Sequence, residues 1–397
     1  MEKLSARIKS LAASATIAMN QKGQELKAKG VDVINLSVGE PDFPTPKHIK
    51  EAAKKAIDGS YDHYAPVPGY PDLRQAISEK FKRENGLDYA PTQIVVSVGA
   101  KHSLANVMMC LVDKGEEVIV PAPYWVSYVE QVKIAEGVNV IIDTTVESEF
   151  KISAEQLRAA ITPKTKVLLL CSPSNPTGSV YTKEELKAIA DVVAEHEQIF
   201  VVADEIYEHI NFVGGHESIA QFEDIRDRVV IVNGVSKGYA MTGWRIGYMA
   251  GPEWLAKACA KLQGQMTSGA TSIAMRAALA ALTEDQSCVK EMGDAFLRRR
   301  DLILGHLNEI EGLKCNVPGG AFYVFPDFSH YIGKSVNGKK IETDMDLCLY
   351  LLEDAHIATV PGSAFGADGC VRISYANSDE NLNKAMQRLK DALAALK

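Results

Sequence analysis

The fold class of this chain can be inferred from Val229-Val-Ile-Val-Asn-Gly-Val-Ser-Lys-Gly-Tyr-Ala-Met-Thr-Gly-Trp-Arg-Ile-Gly-Tyr248. Its apolar, β-branched beginning predicts a buried strand, and the glycines that follow permit tight turns. Lys237 then lies at the end of that strand, with Arg245 further along the same loop. A lysine that forms a Schiff base must lose its proton, so it needs burial or neighbouring positive charge. This combination suggests a pyridoxal phosphate enzyme, although most lysines and arginines are solvated surface charges.

The same stretch also fits a second class of enzyme. Gly234-Val-Ser-Lys-Gly238 matches the Gly-x-Ser-x-Gly pattern in which serine hydrolases hold their nucleophile after a strand. A hydrolase nucleophile at Ser236 would need an acid and a histidine downstream, and His306, His330 and His356 qualify by position. None of these histidines has a distinctive sequence setting, so Ser236 is an alternative that the rest of the chain must test.

Composition and charge are typical of an enzyme with two domains. The 397 residues include 46% hydrophobic and 24% charged side chains, which is ordinary for a globular protein. The net charge of -8, without a cluster of basic residues, argues against binding of nucleic acid. Seven separated cysteines predict reduced thiols in a cytoplasmic protein. We expect no signal peptide and no membrane helix, because no apolar run is long enough to span a bilayer.

Helical patterns alternate with short apolar runs from about residue 46 to 290, which predicts an α/β fold. We expect a mostly parallel seven-stranded sheet with helices on both faces, followed by a smaller α+β domain. The predicted division is an N-terminal arm with part of the small domain at 1–45, a large cofactor-binding domain at 46–290 and a small C-terminal domain at 291–397. The seven strands are expected at 94–98, 117–120, 138–142, 166–170, 199–203, 229–232 and 246–250.

Other nucleotide and metal motifs are incomplete in this sequence. No Gly-x-Gly is present for a dinucleotide fingerprint, and Phe328 stands where a P-loop at 332–335 would need its first glycine. The pattern that starts at His216-Glu217 lacks its second histidine because residue 220 is Ala220. We therefore expect no metal site.

Two segments at strand ends offer positions for anions. Gly99 and Ala100 lie between a predicted strand and a helix, where small residues leave backbone N–H groups open to a phosphate. Arg372 lies on a predicted, partly buried strand, and its planar fork suits a carboxylate such as that of an amino acid. Both segments are expected at the edge of the sheet where parallel strands end.

Two further strand ends supply groups that a pyridoxal ring needs. Asn175, in a proline-rich loop, could donate to the phenolic oxygen of the cofactor, and Asp204 could keep the pyridine nitrogen protonated. Tyr207 adds a phenol three residues later. Each residue alone would more often be structural. Their joint occurrence favours the pyridoxal phosphate hypothesis, because the hydrolase hypothesis explains only Ser236.

These motifs, in this order, resemble class I aminotransferases of the aspartate aminotransferase family, which are fold-type I pyridoxal phosphate enzymes. The resemblance covers nearly the whole chain. It is carried by Ser37-Val-Gly-Glu-Pro-Asp-Phe43, Tyr64-Ala-Pro66, Asn175-Pro-Thr-Gly178, Asp204-Glu-Ile-Tyr207, the segment from Ser236 to Arg245, and Arg372-Ile-Ser-Tyr-Ala376.

The resemblance implies a role for each matching residue. Lys237 would hold the cofactor covalently and then move the proton at the substrate α-carbon, while Asp204 would pair with the pyridine nitrogen. A homodimer is also implied, because family members build each site from two chains. The remaining implied contacts are Asn175 and Tyr207 to the phenolic oxygen, Ser236, Arg245 and Gly99-Ala-Lys101 to the phosphate, Tyr64 from the partner subunit, Trp125 stacked on the ring, and Arg372, Asn175 and Gly39 to the α-carboxylate.

Substrate preference depends on Lys101. In the bacterial branch that this chain resembles, a lysine beside the phosphate turn can face the distal carboxylate of an acidic substrate. We therefore predict aspartate and glutamate with their 2-oxo acids as substrates, and prephenate as a further acceptor; Ser14 and Thr16 support this. The alternatives are that Lys101 contacts only the helix start or the phosphate, that the enzyme prefers alanine, aromatic amino acids or kynurenine, or, more distantly, that it is a β-lyase or a non-catalytic regulator.

Overall fold

The computed structural model describes residues 3–13 and 15–397. In chain order the strands are β1 (Ile34–Asn35), β2 (Ile94–Ser97), β3 (Glu117–Pro121), β4 (Val138–Ile142), β5 (Thr165–Cys171), β6 (Phe200–Asp204), β7 (Val229–Gly234), β8 (Gly247–Ala250), β9 (Tyr323–Val324), β10 (Ser335–Val336), β11 (Lys339–Lys340), β12 (Ile357–Ala358), β13 (Val360–Pro361) and β14 (Val371–Ser374).

The helices connect these strands and cover them. They are α1 (Ala6–Lys9), α2 (Ala15–Ala28), α3 (Lys47–Asp58), α4 (Pro71–Lys80), α5 (Ala100–Leu111), α6 (Ser127–Ile134), α7 (Ala154–Ala160), α8 (Lys183–Ala194), α9 (Glu253–Met266), α10 (Ser272–Thr283), α11 (Ser287–Leu307), α12 (Asp344–Glu353) and α13 (Asp379–Ala394). In the described part of the chain, no helix is long and apolar enough to cross a membrane.

A seven-stranded sheet with the order β2-β8-β7-β6-β5-β3-β4 forms the centre of the molecule. Its strands are parallel except β8, which runs antiparallel to both neighbours. The prediction of a mostly parallel α/β sheet is therefore confirmed, and each of the seven predicted strands is present within two residues of its expected bounds.

Helices on both faces explain why the central strands are continuously apolar. In β7, Val229 and Ile231 pack into a core with α3, α4, α8 and α10, whereas Val230 and Val232 pack into a second core with α5, α6 and α9. A strand buried on both sides cannot show the alternation of a half-exposed strand. Because β5, β6 and β7 are parallel, the polar residues that follow them lie together at one edge of the sheet.

A third core lies beyond that edge. It is built from the N-terminal segment, from α11, α12 and α13, and from the antiparallel strands β14 and β9, so that Leu36, Phe296 and Ile373 belong to one cluster. The C-terminal part of the chain, which was predicted to mix helices and strands, contains these helices and strands. The domain boundaries at residues 45 and 290 stay predictions, and residue 290 lies within α11.

Candidate active site

A cavity of about 450 Å³ lies between the carboxyl ends of β5, β6 and β7 and the third core. A concave site with a few converging polar groups is the usual setting for a small ligand. Most of the site residues predicted from the sequence line it: Gly39, Ala100, Lys101, Trp125, Asn175, Asp204, Tyr207, Ser236, Lys237, Arg245 and Arg372.

Lys237 follows β7 and opens onto this cavity. Its ammonium group donates to the carbonyl oxygen of Gly39 and lies 5.7 Å from the ring centroid of Tyr207. Burial lowers the pKa of Lys237 to about 8, and the positive charges of Arg372 and Arg245 act in the same direction, against Glu40. Because a neutral amine is the nucleophilic form, this environment makes Lys237 reactive closer to neutral pH than an ordinary lysine.

Asp204 is the last residue of β6 and is almost completely buried. Its Oδ2 accepts a hydrogen bond of 2.6 Å from the hydroxyl of Tyr128. Burial raises the pKa of Asp204 to about 6, although Tyr128 and the backbone N–H of Ile206 oppose the change. No cation lies within ion-pair distance of this carboxylate in the described part of the chain. A ligand that presents a protonated ring nitrogen would therefore supply a partner that Asp204 lacks.

An anion position lies where β2 joins α5. Gly99 has a φ of +80°, and a Cβ atom at this residue would lie 2.4 Å from Nη2 of Arg245. A Cβ atom at Gly247 would lie 2.1 Å from the backbone nitrogen of Ala100. Only glycine fits both places, so the guanidinium of Arg245 can lie directly against the start of the helix. Helix N-termini attract anions, and Arg245 forms no ion pair with any described residue, so the charge of a phosphate fits here.

Arg372, on β14, is a second cation without a carboxylate partner among the described residues. It is fully buried, and it donates from Nη1 to Oδ1 of Asn175 at 3.0 Å and from Nη2 to the carbonyl oxygen of Ser37 at 2.6 Å. Its Nε is buried without a hydrogen-bond partner. The Cζ atom of the guanidinium lies 4.6 Å from the ring centroid of Tyr323. A buried guanidinium of this kind favours a carboxylate in the adjacent cavity.

Lys101 is a third cation at the same cavity. Its Nζ lies 4.8 Å from the centroid of the Trp125 ring, and burial, followed by the charge of Arg245, lowers its pKa. In the described ranges it has no ion-pair partner. Thr16, from α2, lines the same cavity, whereas Ser14, which is predicted to act together with Thr16, lies outside the described residues.

Several cavity residues were not predicted from the sequence, and three of them form side-chain hydrogen bonds at the site. Tyr128 binds Asp204, Glu40 accepts a hydrogen bond of 2.8 Å from Thr242, and the hydroxyl of Tyr323 lies 2.8 Å from that of Tyr207. Glu40 lies in the quoted Ser37–Phe43 motif and could have been found there. Tyr128 and Tyr323 lie in a helix and a strand with ordinary apolar patterns, so only the packing brings them to the site.

One predicted residue lies away from the cavity. The side chain of Tyr64 is 96% exposed, so it contributes nothing to the site of its own chain. Its role across a subunit interface stays a prediction.

The hydrolase hypothesis is wrong. Ser236 lines the cavity, but no histidine is found among the described residues around it. His306 instead contacts Asn383, and His330 contacts Lys334, both at exposed positions. Ser236 therefore lacks the histidine that would take its proton in a Ser-His-Asp hydrolase.

Comparisons with known proteins agree with this geometry. Residues 31–389 match the family model described as aminotransferase class I and II. A probable aspartate/prephenate aminotransferase of Rhizobium leguminosarum bv. phaseoli is 50% identical, with 97% of each chain covered. The aspartate aminotransferase of Geobacillus stearothermophilus is 47% identical, with 98% of each chain covered.

Solved structures give the same result. The crystal structure of the aspartate aminotransferase from Rhizobium meliloti superposes with a TM-score of 0.96 at 45% identity and covers both chains completely. The Thermus thermophilus aspartate aminotransferase with maleate gives a TM-score of 0.93 at 45% identity, over 99% of this chain and 100% of that one. This chain therefore belongs to the class I and II aminotransferase family.

Proposed function

We propose that this aminotransferase uses pyridoxal phosphate to move an amino group between aspartate or glutamate and a 2-oxo acid, by a ping-pong mechanism. One observation carries the proposal. Arg245, Arg372 and Lys101, which have no ion-pair partners among the described residues, surround a cavity that also contains Lys237 and Asp204. Three separate cations suit one phosphate and the two carboxylates of an acidic amino acid.

The residues present fit the proposed cofactor. Arg245, Ser236 and the turn at Gly99-Ala-Lys101 would hold the phosphate, in the space that a Cβ atom on Gly99 would obstruct. Asp204 would pair with the ring nitrogen, Asn175 and Tyr207 with the phenolic oxygen, and Trp125 would stack on the ring. When bound, pyridoxal phosphate supplies an electron sink for the charge left at the α-carbon after its proton is removed.

The protein groups would then do three things. Arg372, together with Asn175 and the backbone of Gly39, would bind and orient the α-carboxylate of the substrate. The Nζ of Lys237 would take the proton from the α-carbon of the amino acid and, in the second half-reaction, would give a proton to the α-carbon derived from the 2-oxo acid. Its lowered pKa lets it both accept and donate a proton near neutral pH. The protonated ring nitrogen would keep Asp204 ionised, although burial of this carboxylate opposes ionisation.

Preference for acidic substrates is proposed from Lys101. Its ammonium has no carboxylate partner among the described residues, so the distal carboxylate of aspartate or glutamate would neutralise it. Two relatives support this proposal. The Rhizobium leguminosarum protein is named for aspartate and prephenate, and the Thermus thermophilus enzyme was solved with maleate, which is also a dicarboxylate. We propose prephenate as a further acceptor on the same grounds.

We also propose a cytoplasmic homodimer in which Tyr64 of one subunit reaches the phosphate of the other. Tyr64 and Met266 are exposed apolar side chains. Their segments adjoin, because the side chain of Gln263, in the same helix α9 as Met266, donates to the carbonyl oxygen of Val67, three residues after Tyr64. Exposed apolar groups of this kind favour an interface. All seven cysteines carry free thiols, in keeping with a reducing compartment.

An absorbance spectrum of the purified, cofactor-supplemented protein tests the proposal. We expect a visible band that aspartate bleaches and 2-oxoglutarate restores, because these two additions drive the two half-reactions. Alanine, tyrosine and kynurenine serve as comparison donors at the same concentration. Faster bleaching by one of them would move the substrate preference to that amino acid, and the absence of any band would refute the cofactor.

A further inference from the structure

The segment that carries Asp204 and Tyr207 also carries two buried glutamates, which lie outside the cavity lining. Glu205 is 3% exposed and Glu208 is 6% exposed. Glu205 accepts a hydrogen bond of 2.6 Å from Ser218 and lies 3.1 Å from Nε2 of His216. Two acidic side chains buried behind the candidate site need a physical reason, because an unpaired carboxylate is costly to bury.

Glu208 is bound by three side chains from two other parts of the fold, the helical stretch that ends at Asn85 and strand β7. Lys80, at the end of α4, is completely buried and contacts Oε1 of Glu208. Asn85 donates to Oε2 at 3.0 Å, and Asn233, on β7, donates to Oε1 at 2.7 Å. Burial alone would raise the pKa of Glu208, but Lys80, His209 and His216 together outweigh burial and hold this pKa well below its usual range. Glu208 is therefore a carboxylate with a complete set of partners.

One of these partners connects Glu208 to Lys237. Asn233 lies near the end of β7, and its Oδ1 accepts a hydrogen bond of 2.7 Å from the backbone N–H of Gly234. Lys237 follows three residues later on the same loop. The Glu208–Asn233 hydrogen bond therefore joins the segment that carries Asp204 and Tyr207 to the segment that carries Lys237.

A metal ion is a weaker explanation for this cluster. Glu205, Glu208 and His216 lie close enough together to hold one. However, the ammonium of Lys80 already occupies the cation position at Glu208, and Asn233 binds the same oxygen. The hydrogen bonds point to a connection between structural segments instead.

We propose that Glu208 is a positioning residue, which fixes the turn bearing Asp204 and Tyr207 against the strand end bearing Lys237. The inference rests on the proposed roles of Asp204 and Lys237. Loss of this connection should widen the gap between the two segments and admit water around Lys237, while Arg372 and Lys101 keep their own contacts to the substrate.

Two double variants separate the hydrogen bond from the buried charge. Lys80→Met with Glu208→Gln removes both charges but keeps an oxygen that can accept from Asn233. Lys80→Met with Glu208→Leu removes the same charges and also the acceptor. Arg228→Met is the control for general destabilisation, because Arg228 donates to three backbone carbonyl oxygens at the opposite end of β7.

The first measurement needs no cofactor. An amine-specific acylating reagent is applied to the apoprotein over a range of pH, and modification of Lys237 is followed by peptide mass spectrometry. We expect half-maximal modification near the pKa of about 8 in the wild type, the Gln variant and the control. In the Leu variant the midpoint should rise by about one pH unit, because hydration returns a lysine toward its ordinary pKa.

The second measurement uses the loaded enzyme. The Leu variant should bind pyridoxal phosphate about tenfold more weakly than the Gln variant and show a kcat about tenfold lower, with KM for aspartate changed less than about threefold. Equal midpoints and equal affinities in the two double variants would overturn the inference. If neither double variant folds, Asn233→Ala removes the same hydrogen bond while Lys80 stays paired, and the same two readouts decide. Failure of the wild type to bind pyridoxal phosphate would refute the proposed function alone, since the acylation midpoint does not depend on it.

Discussion

At the scale of single residues, the cavity makes the charged forms of its ionisable groups less favourable than they are in solvent. Burial moves the pKa of Lys237 down to about 8 and that of Asp204 up to about 6. Each change favours the neutral form. Arg372 keeps its charge without a carboxylate partner among the described residues. Groups held in this way destabilise the empty protein, and a bound ligand of complementary charge removes that cost.

Asp204→Asn should therefore stabilise the apoprotein at neutral pH. The pKa of Asp204 is raised from 3.8 to about 6 in the folded protein. Its contribution to the free energy of unfolding is therefore most favourable below the unfolded pKa and is lost as the pH rises through about 6. At about 1.4 kcal/mol per pKa unit, the gain at pH 7.5 is at most about 3 kcal/mol. Thermal unfolding at pH 7.5 and pH 4 would measure it, and the gain should disappear at the lower pH.

The control for this prediction is Asp227→Asn, because the side chain of Asp227 is 85% exposed. It should change the unfolding temperature little at either pH. An Asp204→Asn apoprotein that is less stable than the wild type at pH 7.5 would contradict the prediction.

Arg372→Lys should weaken binding of every amino acid substrate. Lysine keeps the charge but loses the planar fork that binds a carboxylate with two hydrogen bonds. We expect kcat/KM to fall by about 30- to 150-fold, which corresponds to a loss of about 2–3 kcal/mol in transition-state stabilisation. Most of this fall should come from a higher KM. Steady-state kinetics with aspartate measures this, and Arg388→Lys, on the distant α13, is the control. If pyridoxal phosphate binding weakened by the same factor as KM rose, the result would instead indicate a collapsed site.

Lys101→Ala should change which amino acids are preferred. Removal of the cation takes away the partner of the distal carboxylate, so kcat/KM for aspartate should fall by about tenfold or more. Tyrosine lacks that carboxylate and should be affected much less. The ratio of the two kcat/KM values is the measurement, with Lys257→Ala, at an exposed ion pair on α9, as the control. An unchanged ratio would exclude Lys101 from substrate selection.

At the scale of elements, the turn from β2 into α5 makes the sharpest prediction. Gly99→Ala strains a residue with a φ of +80° and brings its new Cβ atom against Arg245. Gly115→Ala is a matched control, because Gly115 has a φ of +84° but no atom within 4 Å of the added Cβ. Both variants should lose about 1 kcal/mol of stability. Only Gly99→Ala should also weaken pyridoxal phosphate binding, by about tenfold or more, as measured by fluorescence titration of the apoprotein.

The strands could be predicted because burial on both faces leaves a continuous apolar run, as in β7. The direction of β8 was harder to predict, since Gly247–Ala250 is as apolar as the parallel strands. A signal existed, because residues 235–246 contain no crossover helix, and a strand reached without a crossover returns antiparallel. Asp204 and Lys237 could be predicted as site residues from their places at strand ends. Tyr128 and Tyr323 could not, because no local pattern says which face of α6 or β9 meets the cavity.

At the scale of the whole molecule, the candidate site is assembled from distant parts of one chain. The Arg372–Asn175 hydrogen bond joins residues that are 197 positions apart, and the bond from Arg372 to Ser37 spans 335 positions. The cavity therefore depends on the C-terminal strands and the N-terminal segment meeting the large sheet. Tyr64 is the one predicted site residue whose side chain this folding leaves away from the cavity, which makes it the best test of the proposed dimer.

A mixing experiment tests whether Tyr64 acts on the partner subunit. Tyr64→Ala and Lys237→Ala homodimers should both have little activity, the first because the phosphate loses a partner and the second because the amine is absent. In a mixed dimer, the subunit with Tyr64→Ala keeps its Lys237 and would receive Tyr64 from the other subunit, so one of the two sites is complete. After random subunit exchange about half of the dimers are mixed, so activity should recover to about one quarter of the wild-type value.

The matched control mixes Lys237→Ala with Arg372→Gln. The side chains of both residues line the cavity of one subunit, so a mixed dimer contains no complete site and should recover no activity. Recovery in the first mixture but not in the second requires that Tyr64 crosses the interface. If the first mixture also stays inactive although exchange is demonstrated by native mass spectrometry, Tyr64 does not complete the site of its partner.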